Sequence, residues 1–300
     1  MLNVPSYANL FRAEWEKIAG HRWVTGLLMW IFPMGALGIL TIMLLVAILA
    51  PPDIQSNFGL ASVNGSVDWT EIMIGAWSIP NEMFGRIILI AFTAFMFAGE
   101  FQWGTWKYLL PRRQRVPLII NKFVTLGAFV VVSFGATALI AGLGMFLPVK
   151  IAGGQYGPPL ADALQSDFVR NFLVQAANTF TATIIAAGYA ALGAMITRSI
   201  LGSIMVGIGL MLVEFVSLGI FSLIGSLFGR PEVLALFQLT PVYNLSNVAS
   251  LVNGQRNPFP FLLPYAAPNS LELSLLILGA WVFGLIALTT ILFKRQDVTT

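Results

Sequence analysis

The chain has 300 residues, of which 57% are hydrophobic and only 10% are charged, and its formal net charge is +3 at pH 7. Soluble domains carry about 25% charged residues, so this composition excludes a soluble globular protein and is typical of a chain that spans a membrane. The absence of cysteine excludes disulfides and thiolate metal sites, and the single histidine, His21, excludes any site that needs two imidazoles. The small net charge gives no support for nucleic-acid binding.

The first predicted element is an amphipathic helix ahead of the membrane, over residues 6–19. Its apolar and charged side chains occupy opposite faces, a pattern typical of a helix that lies in the membrane interface. Residues 1–22 are therefore expected to form a cytoplasmic interfacial helix. Two interpretations are open: a simple anchor for the N-terminus, or a helix that also contacts a cytoplasmic partner. The apolar face consists of Tyr7, Leu10, Phe11, Trp15 and Ile18.

Six later segments are long and apolar enough to cross the hydrocarbon layer, which requires roughly 20 mostly apolar residues. The expected fold class is an all-α integral membrane protein, with residues 23–300 forming one six-span transmembrane domain. The predicted spans are 24–50, 79–99, 117–147, 172–196, 200–228 and 271–293.

Lysine and arginine residues indicate the orientation of these spans, because cytoplasmic loops are enriched in both. If the N-terminus is cytoplasmic, 11 of the 16 basic residues lie inside. Both termini are therefore expected on the cytoplasmic side, as an even number of spans requires. The five basic residues expected outside are Arg86, Lys150, Arg170, Arg230 and Arg256.

The cytoplasmic loop between the second and third spans, residues 101–117, has the most distinctive sequence in the chain. Gly104 permits a sharp exit from the membrane, and Thr105 is a suitable N-cap for a short amphipathic helix that ends before Pro111. The basic residues from Lys107 to Lys122 are equally typical of an ordinary positive-inside loop that contacts anionic lipid.

Glu100 favours a specific role for this loop over simple lipid contact. It lies directly at the end of the second apolar segment, where a carboxylate is costly unless it has a partner. The expected partner is a backbone N–H group or a nearby base such as Arg115.

The external segment between the fifth and sixth spans, residues 229–270, is too apolar for a solvated loop and contains six prolines. Two short apolar runs, 233–239 and 242–252, flank Pro241. We interpret them as half-helices that re-enter the outer leaflet, which is allowed where protein covers the irregular backbone. A small folded cap on the membrane surface is the alternative.

Glu214 lies near the middle of the fifth span, where a carboxylate costs several kcal/mol unless it is paired, protonated or hydrated. It is therefore a candidate residue of a translocation path. The alternative is a structural, protonated side chain that is hydrogen-bonded to a neighbouring span, for which Asn178, Thr179 and Thr183 are the candidate partners.

Alanine recurs at every fourth position of the fourth span. Stripes of small residues let helix backbones approach closely, so this one predicts helix packing. The stripe consists of Ala182, Ala186, Ala190 and Ala194.

Four stretches of the chain together resemble the ABC-2 type transporter permeases. The main one contains Glu100, then Gly104-Thr105, then Leu109-Leu110, and is followed by Arg115 and Lys122. The others are residues 10–17, 240–245 and 293–298.

This resemblance implies the transmembrane subunit of an ATP-driven exporter in a prokaryotic plasma membrane. Such a subunit pairs with a second copy or a homologous permease, and two separate ABC ATPase subunits bind the ATP and Mg²⁺. This chain has no phosphate-binding loop of its own and is expected to bind no cofactor. The resemblance places the coupling to the ATPase on Glu100 and on residues of the 101–117 loop: Gly104, Thr105, Trp106, Lys107, Leu109, Arg113 and Arg115.

Other classes of function fit the sequence less well. A secondary transporter, which works without an ATPase, usually shows internal repeats and several intramembrane charges. A membrane enzyme is not expected, because the chain has no H-E-x-x-H or G-x-S-x-G motif. A purely structural anchor would not require so basic and patterned an internal loop.

Overall fold

The computed structural model describes residues 7–60, 66–105, 115–254 and 257–296. The α-helices of six or more residues are, in chain order, α1 (Tyr7–Gly20), α2 (Ile31–Leu49), α3 (Pro52–Asn57), α4 (Trp69–Ala76), α5 (Met83–Gln102), α6 (Arg115–Gly144), α7 (Phe146–Ile151), α8 (Leu160–Gln165), α9 (Phe168–Thr197), α10 (Ile200–Leu227), α11 (Pro241–Val252) and α12 (Leu271–Arg295). The other helical segments are the α-helical Arg22–Val24, the π-helical Thr25–Met29, and the 3-10 helices Ile79–Asn81, Pro231–Leu239 and Pro260–Leu262.

Six helical segments are long and apolar enough to cross a membrane, and the chain is a multi-pass membrane protein. They are α2, α5, α6 continued by α7, α9, α10 and α12, in agreement with the six predicted spans. The first starts at Ile31 and not at residue 24, because a π-helical turn precedes it. The second starts at Met83 and not at residue 79, because Pro80 lies in a separate 3-10 turn.

Helix α1 confirms the predicted N-terminal helix, and its apolar face packs partly on protein. The indole of Trp15 stacks on the ring of Phe129 in α6, with 4.0 Å between centroids. Asn121 Nδ2 of α6 donates to the carbonyl oxygen of Leu10 at 3.1 Å. Tyr7, by contrast, is exposed. Because α1 is held on α6 by ring stacking and a hydrogen bond, it is part of the helical bundle.

Helix α9 is the most buried of the six spans and lies at the centre of the bundle, against α5, α10 and α12. The predicted alanine stripe is buried along this helix, which confirms its packing role. Opposite it, a Cβ at Gly207 of α10 would lie 2.8 Å from Ile90 and 3.3 Å from Ala190. Small residues on both helices are therefore needed for this close approach.

The loops that follow the first and third spans meet in a short parallel sheet. Strand β1 (Ser66–Asp68) pairs with β2 (Gln155–Gly157), with Ser66 opposite Gln155. Trp69 Nε1 also donates to the carbonyl oxygen of Pro158 at 2.7 Å. The two loops therefore form one connected structure on this side of the bundle.

The segment 229–270 contains helices on both sides of Pro241, as predicted: the 3-10 helix Pro231–Leu239 and α11. Phe237, Tyr243 and Asn244 in these helices are buried. Trp281 Nε1 of α12 donates to the carbonyl oxygen of Leu239 at 2.9 Å. Trp281 lies ten residues after the start of α12, a rise of about 15 Å along that span. The junction of the two half-helices therefore lies beside the middle of α12.

Candidate functional site

Four charged side chains from three helices meet at the loop-bearing end of α5. Glu14 and Lys17 come from α1, Glu100 from α5 and Lys122 from α6. Lys122 Nζ lies 2.6 Å from Glu14 Oε1 and 3.0 Å from Glu100 Oε1, and Lys17 Nζ also bonds to the Glu100 carboxylate. We call these four residues the four-charge cluster.

The positions of these residues in their helices explain why they converge. Glu14 and Lys17 are three residues apart and so share one face of α1. Glu100 lies in the last turn of α5, where the helix dipole disfavours a carboxylate and favours a cation. Lys122 Nζ supplies that cation and also donates to the carbonyl oxygen of Met96 at 2.7 Å. One ammonium group therefore compensates both the carboxylates and the end of the helix.

The cluster is buried, and its formal charges cancel. The side chains of Glu100 and Lys122 are 1% and 3% exposed, whereas that of Lys17 is 33% exposed. Burial and the charge of Lys122 lower the pKa of Lys17 to about 8, against the opposing effect of Glu14. Burial acts to raise the pKa of Glu14, but Lys122 and Lys17 bring it below its ordinary value. Charge balance, together with these hydrogen bonds, makes such burial tolerable.

The end of α5 forms a Schellman motif around Gly104. Gly104 has a φ of +64°, which confirms the sharp turn expected there. The Thr105 N–H donates to the Glu100 carbonyl oxygen at 3.1 Å, and the Gly104 N–H to that of Phe101 at 3.3 Å, which is the bonding pattern of this motif. The Thr105 hydroxyl also donates to the Glu100 carboxylate. Glu100 therefore fixes the direction in which the loop leaves the helix.

Glu100 is paired with basic residues, as expected, but these are Lys17 and Lys122 and not Arg115. Arg115 Nη1 donates to the carbonyl oxygens of Phe293, Lys294 and Gln296, at 3.2, 2.9 and 2.8 Å. These groups belong to the C-terminal end of α12, where carbonyl oxygens lack helical partners and favour a cation. Arg115 therefore joins the start of α6 to the end of α12.

Four residues that were assigned to ATPase coupling lie outside the described residues. They are Trp106, Lys107, Leu109 and Arg113.

A second charged group lies within the membrane-spanning helices. Arg86 Nη1 of α5 lies 3.3 Å from Glu214 Oε1 of α10, and the Tyr189 hydroxyl of α9 donates to Glu214 Oε2 at 2.9 Å. The side chains of Arg86 and Glu214 are 8% and 4% exposed. Three central spans therefore meet at one ion pair.

This pairing corrects two expectations. Arg86 was counted among the basic residues expected outside, but it is the fourth residue of α5 and is buried. The partners predicted for Glu214 were also wrong, because Asn178 Nδ2 donates to the Leu245 carbonyl oxygen and the Thr179 hydroxyl to that of Trp77. The Thr183 hydroxyl has no hydrogen-bond partner among the described residues. The position of Arg86 inside the predicted span 79–99 is the signal that could have identified it as a partner for a buried carboxylate.

Within the described ranges, no group of three or more histidine, aspartate or glutamate residues is placed to hold a metal ion. No protein-family model matches this chain, and no curated protein matches it. The two charged groups and the helices that carry them are therefore the basis for a functional proposal.

Proposed function

We propose that this chain is the membrane-spanning permease subunit of an ATP-driven exporter of the ABC-2 type. Two copies of the chain, or one copy and a homologous permease, would form the translocation path in a prokaryotic plasma membrane. Two separate ABC ATPase subunits would bind the ATP and Mg²⁺, and this chain would carry out no chemistry of its own. The observation that carries the proposal is the four-charge cluster.

The cluster connects the predicted coupling loop to three helices. Glu100 marks the end of α5, from which the loop leaves, and Lys122 lies in α6, to which the loop leads. Both side chains are also bonded to α1 through Lys17 and Glu14. If an ATPase displaced the loop, these bonds would transmit the displacement to α1, α5 and α6. The three helices would then move together as one rigid body.

The distribution of basic residues supports cytoplasmic termini. Arg86 is buried in an ion pair and is therefore removed from the count of external basic residues. The excess of lysine and arginine on the cytoplasmic side becomes larger as a result. In this orientation α1 lies at the cytoplasmic interface with Tyr7 exposed. The half-helices beside the middle of α12 then re-enter the outer leaflet, and the bond from Trp281 to Leu239 supports that placement. Arg256, also predicted outside, lies outside the described residues.

Cysteine labelling tests this topology. The chain has no native cysteine, so only the introduced cysteine can react with the reagent. Gln155→Cys and Asn253→Cys, at exposed external positions, are expected to react with an impermeant thiol reagent on intact cells. Gln114→Cys and Thr299→Cys are expected to react only after permeabilisation. Labelling of Gln114→Cys on intact cells would contradict the topology.

We further propose that Glu214 belongs to the translocation path, where α5, α9 and α10 meet. An ionisable residue inside a membrane protein is by default a candidate for function. Glu214→Gln retains the shape and is expected to change transport or substrate-stimulated ATPase activity without loss of assembly.

A pair of further variants separates this role from a structural one. Glu214→Leu leaves Arg86 buried without its carboxylate, which typically costs about 3–5 kcal/mol, and should reduce the amount of folded protein. Adding Arg86→Met should restore folded protein but not transport. Normal transport by Glu214→Leu would show that the carboxylate is merely tolerated.

A secondary transporter is the second candidate function, and the same buried ion pair is the observation that favours it. Membrane-embedded acidic residues commonly carry protons or couple to ions in such transporters. The test is co-expression with the ATPase encoded by an adjoining reading frame. An ABC permease should co-purify with that ATPase and transport only when its ATP hydrolysis is intact. Transport that is unaffected by loss of ATP hydrolysis, but abolished by a protonophore, would favour the secondary transporter.

A further inference from the structure

An open apolar groove of about 600 Å³ lies between α6, α9 and α12. This volume is in the range of ordinary ligand pockets, roughly 300–1,000 Å³. All of its lining side chains are apolar, and α6 contributes most of them, from Ile120 to Val132. These two positions are twelve residues apart, so the groove extends about 18 Å along α6. Phe180 of α9 and Ile286 of α12 line the opposite side.

Small residues on α6 create the groove. Gly127 has no side chain and Ala128 has only a methyl group, so they form the floor of the groove. Val124 and Val131, whose side chains are exposed, lie on either side of them along α6. A Cβ at Gly127 would lie only 3.0 Å from Phe180 Cζ, so this glycine also lets α9 pack closely. The groove is therefore specified by the local sequence of α6.

Basic residues lie at one end of the groove. Arg115 begins α6, five residues or about 7.5 Å before Ile120, and Lys294 and Arg295 end α12. The bonds from Arg115 Nη1 to α12 bring these residues together. Lys294 and Arg295 are exposed, and Nε and Nη2 of Arg115 make no hydrogen bond to any described residue. Guanidinium and ammonium groups therefore lie near one end of the apolar groove.

We propose that this groove binds one acyl chain of an anionic phospholipid, whose phosphate lies against Arg115, Lys294 and Arg295. The hydrocarbon layer is about 30 Å thick, so one leaflet is about 15 Å deep, which is close to the groove length of about 18 Å. Basic pockets between spans bind anionic head groups by charge attraction. The inference depends only on insertion of the chain in a membrane and not on coupling to an ATPase.

Charge argues against a second copy of this chain as the occupant. A twofold dimer contact through the groove would bring the same surface of both copies together. Arg115, Lys294 and Arg295 of one copy would then face their equivalents, and like charges repel. A phosphate group supplies the opposite charge.

The test measures phospholipid bound per chain, by mass spectrometry of the intact protein from micelles with equal phosphatidylglycerol and phosphatidylcholine. Val124→Trp fills the groove. Val213→Trp is its control, because Val124 and Val213 are 54% and 55% exposed on different spans. The pair Lys294→Gln and Arg295→Gln removes the head-group contact, and Arg22→Gln, also exposed, is its control. Ala128→Leu fills the groove more gently if Val124→Trp does not accumulate.

The wild type is expected to retain phosphatidylglycerol in preference to phosphatidylcholine. Val124→Trp should lose this lipid while Val213→Trp keeps it, and each basic residue removed should weaken retention about fivefold. Equal retention of both lipids by the wild type would overturn the proposal. So would loss of dimers in Val124→Trp with unchanged lipid, which would assign the groove to a second copy.

Discussion

Replacing Lys122 with methionine is expected to destabilise the protein far more than replacing an exposed lysine. Lys122 Nζ contacts Glu14, Glu100 and the carbonyl oxygen of Met96, and its side chain is 3% exposed. Methionine fills a similar volume but carries no charge. Among the described residues, Lys17 would then be the cation left to compensate the carboxylates of Glu14 and Glu100. Removal of one partner of a buried ion pair typically costs about 3–5 kcal/mol.

The measurement is the apparent Tm of the purified protein in detergent, where we expect a decrease of roughly 10 °C. Lys150→Met is the matched control, because Lys150 is exposed on α7, and it should leave the Tm nearly unchanged. Adding Glu100→Gln to Lys122→Met rebalances the charge and should recover part of the loss. If Lys122→Met and Lys150→Met had the same Tm, the cluster would have no role in holding α1, α5 and α6 together.

The largest functional effect is expected from the double variant Trp106→Ala and Leu109→Ala in the predicted coupling loop. An aromatic and an aliphatic side chain in a short loop suit the buried centre of an interface, where truncation of one such residue costs about 2 kcal/mol or more. We therefore expect loss of transport and at least a roughly thirtyfold weaker association with the ATPase. Lys107→Ala should have a much smaller effect, because an exposed charge pair contributes about 1 kcal/mol or less.

Co-purification of the ATPase and ATP-dependent transport are measured together, on protein whose Tm and membrane insertion are unchanged. Phe261→Ala combined with Leu263→Ala is the control, an exposed aromatic and aliphatic pair in the external segment. If the loop variant co-purified as much ATPase as the wild type, the loop would be assigned to simple contact with anionic lipid. Because Lys122→Met tests stability and the loop variant tests association, the two results are independent.

The two charged groups differ in what they imply for transport. The four-charge cluster joins helices at the end of the bundle from which the predicted coupling loop emerges, so it is placed to transmit movement. The contacts of Glu214 with Arg86 and Tyr189 join α5, α9 and α10 among the membrane-spanning helices. Any change in the relative position of these spans must break or extend these bonds. The Glu214 variants and the loop variants therefore probe opposite ends of the same proposed movement.

Several features of this protein could be predicted from the sequence because they depend on neighbouring residues along the chain. The lengths of the apolar runs predicted six spans, and all six are present. The position of Gly104 predicted the turn after α5, and Pro241 predicted the division between the two half-helices. The alanine stripe of α9 predicted close packing. Each of these features depends on local backbone preference or on hydropathy, and both can be read from the residues of one segment.

The partners of the buried charges were decided only by the tertiary structure. The sequence showed that Glu100 and Glu214 each require a partner, but Arg115 and three residues of α9 were the wrong candidates. The actual partners are far away in sequence: Lys17 is 83 residues from Glu100, and Arg86 is 128 residues from Glu214. Which span lies beside which, and at what depth, depends on the packing of whole helices. A single sequence shows that these carboxylates require partners. The packing of the bundle determines which residues become those partners.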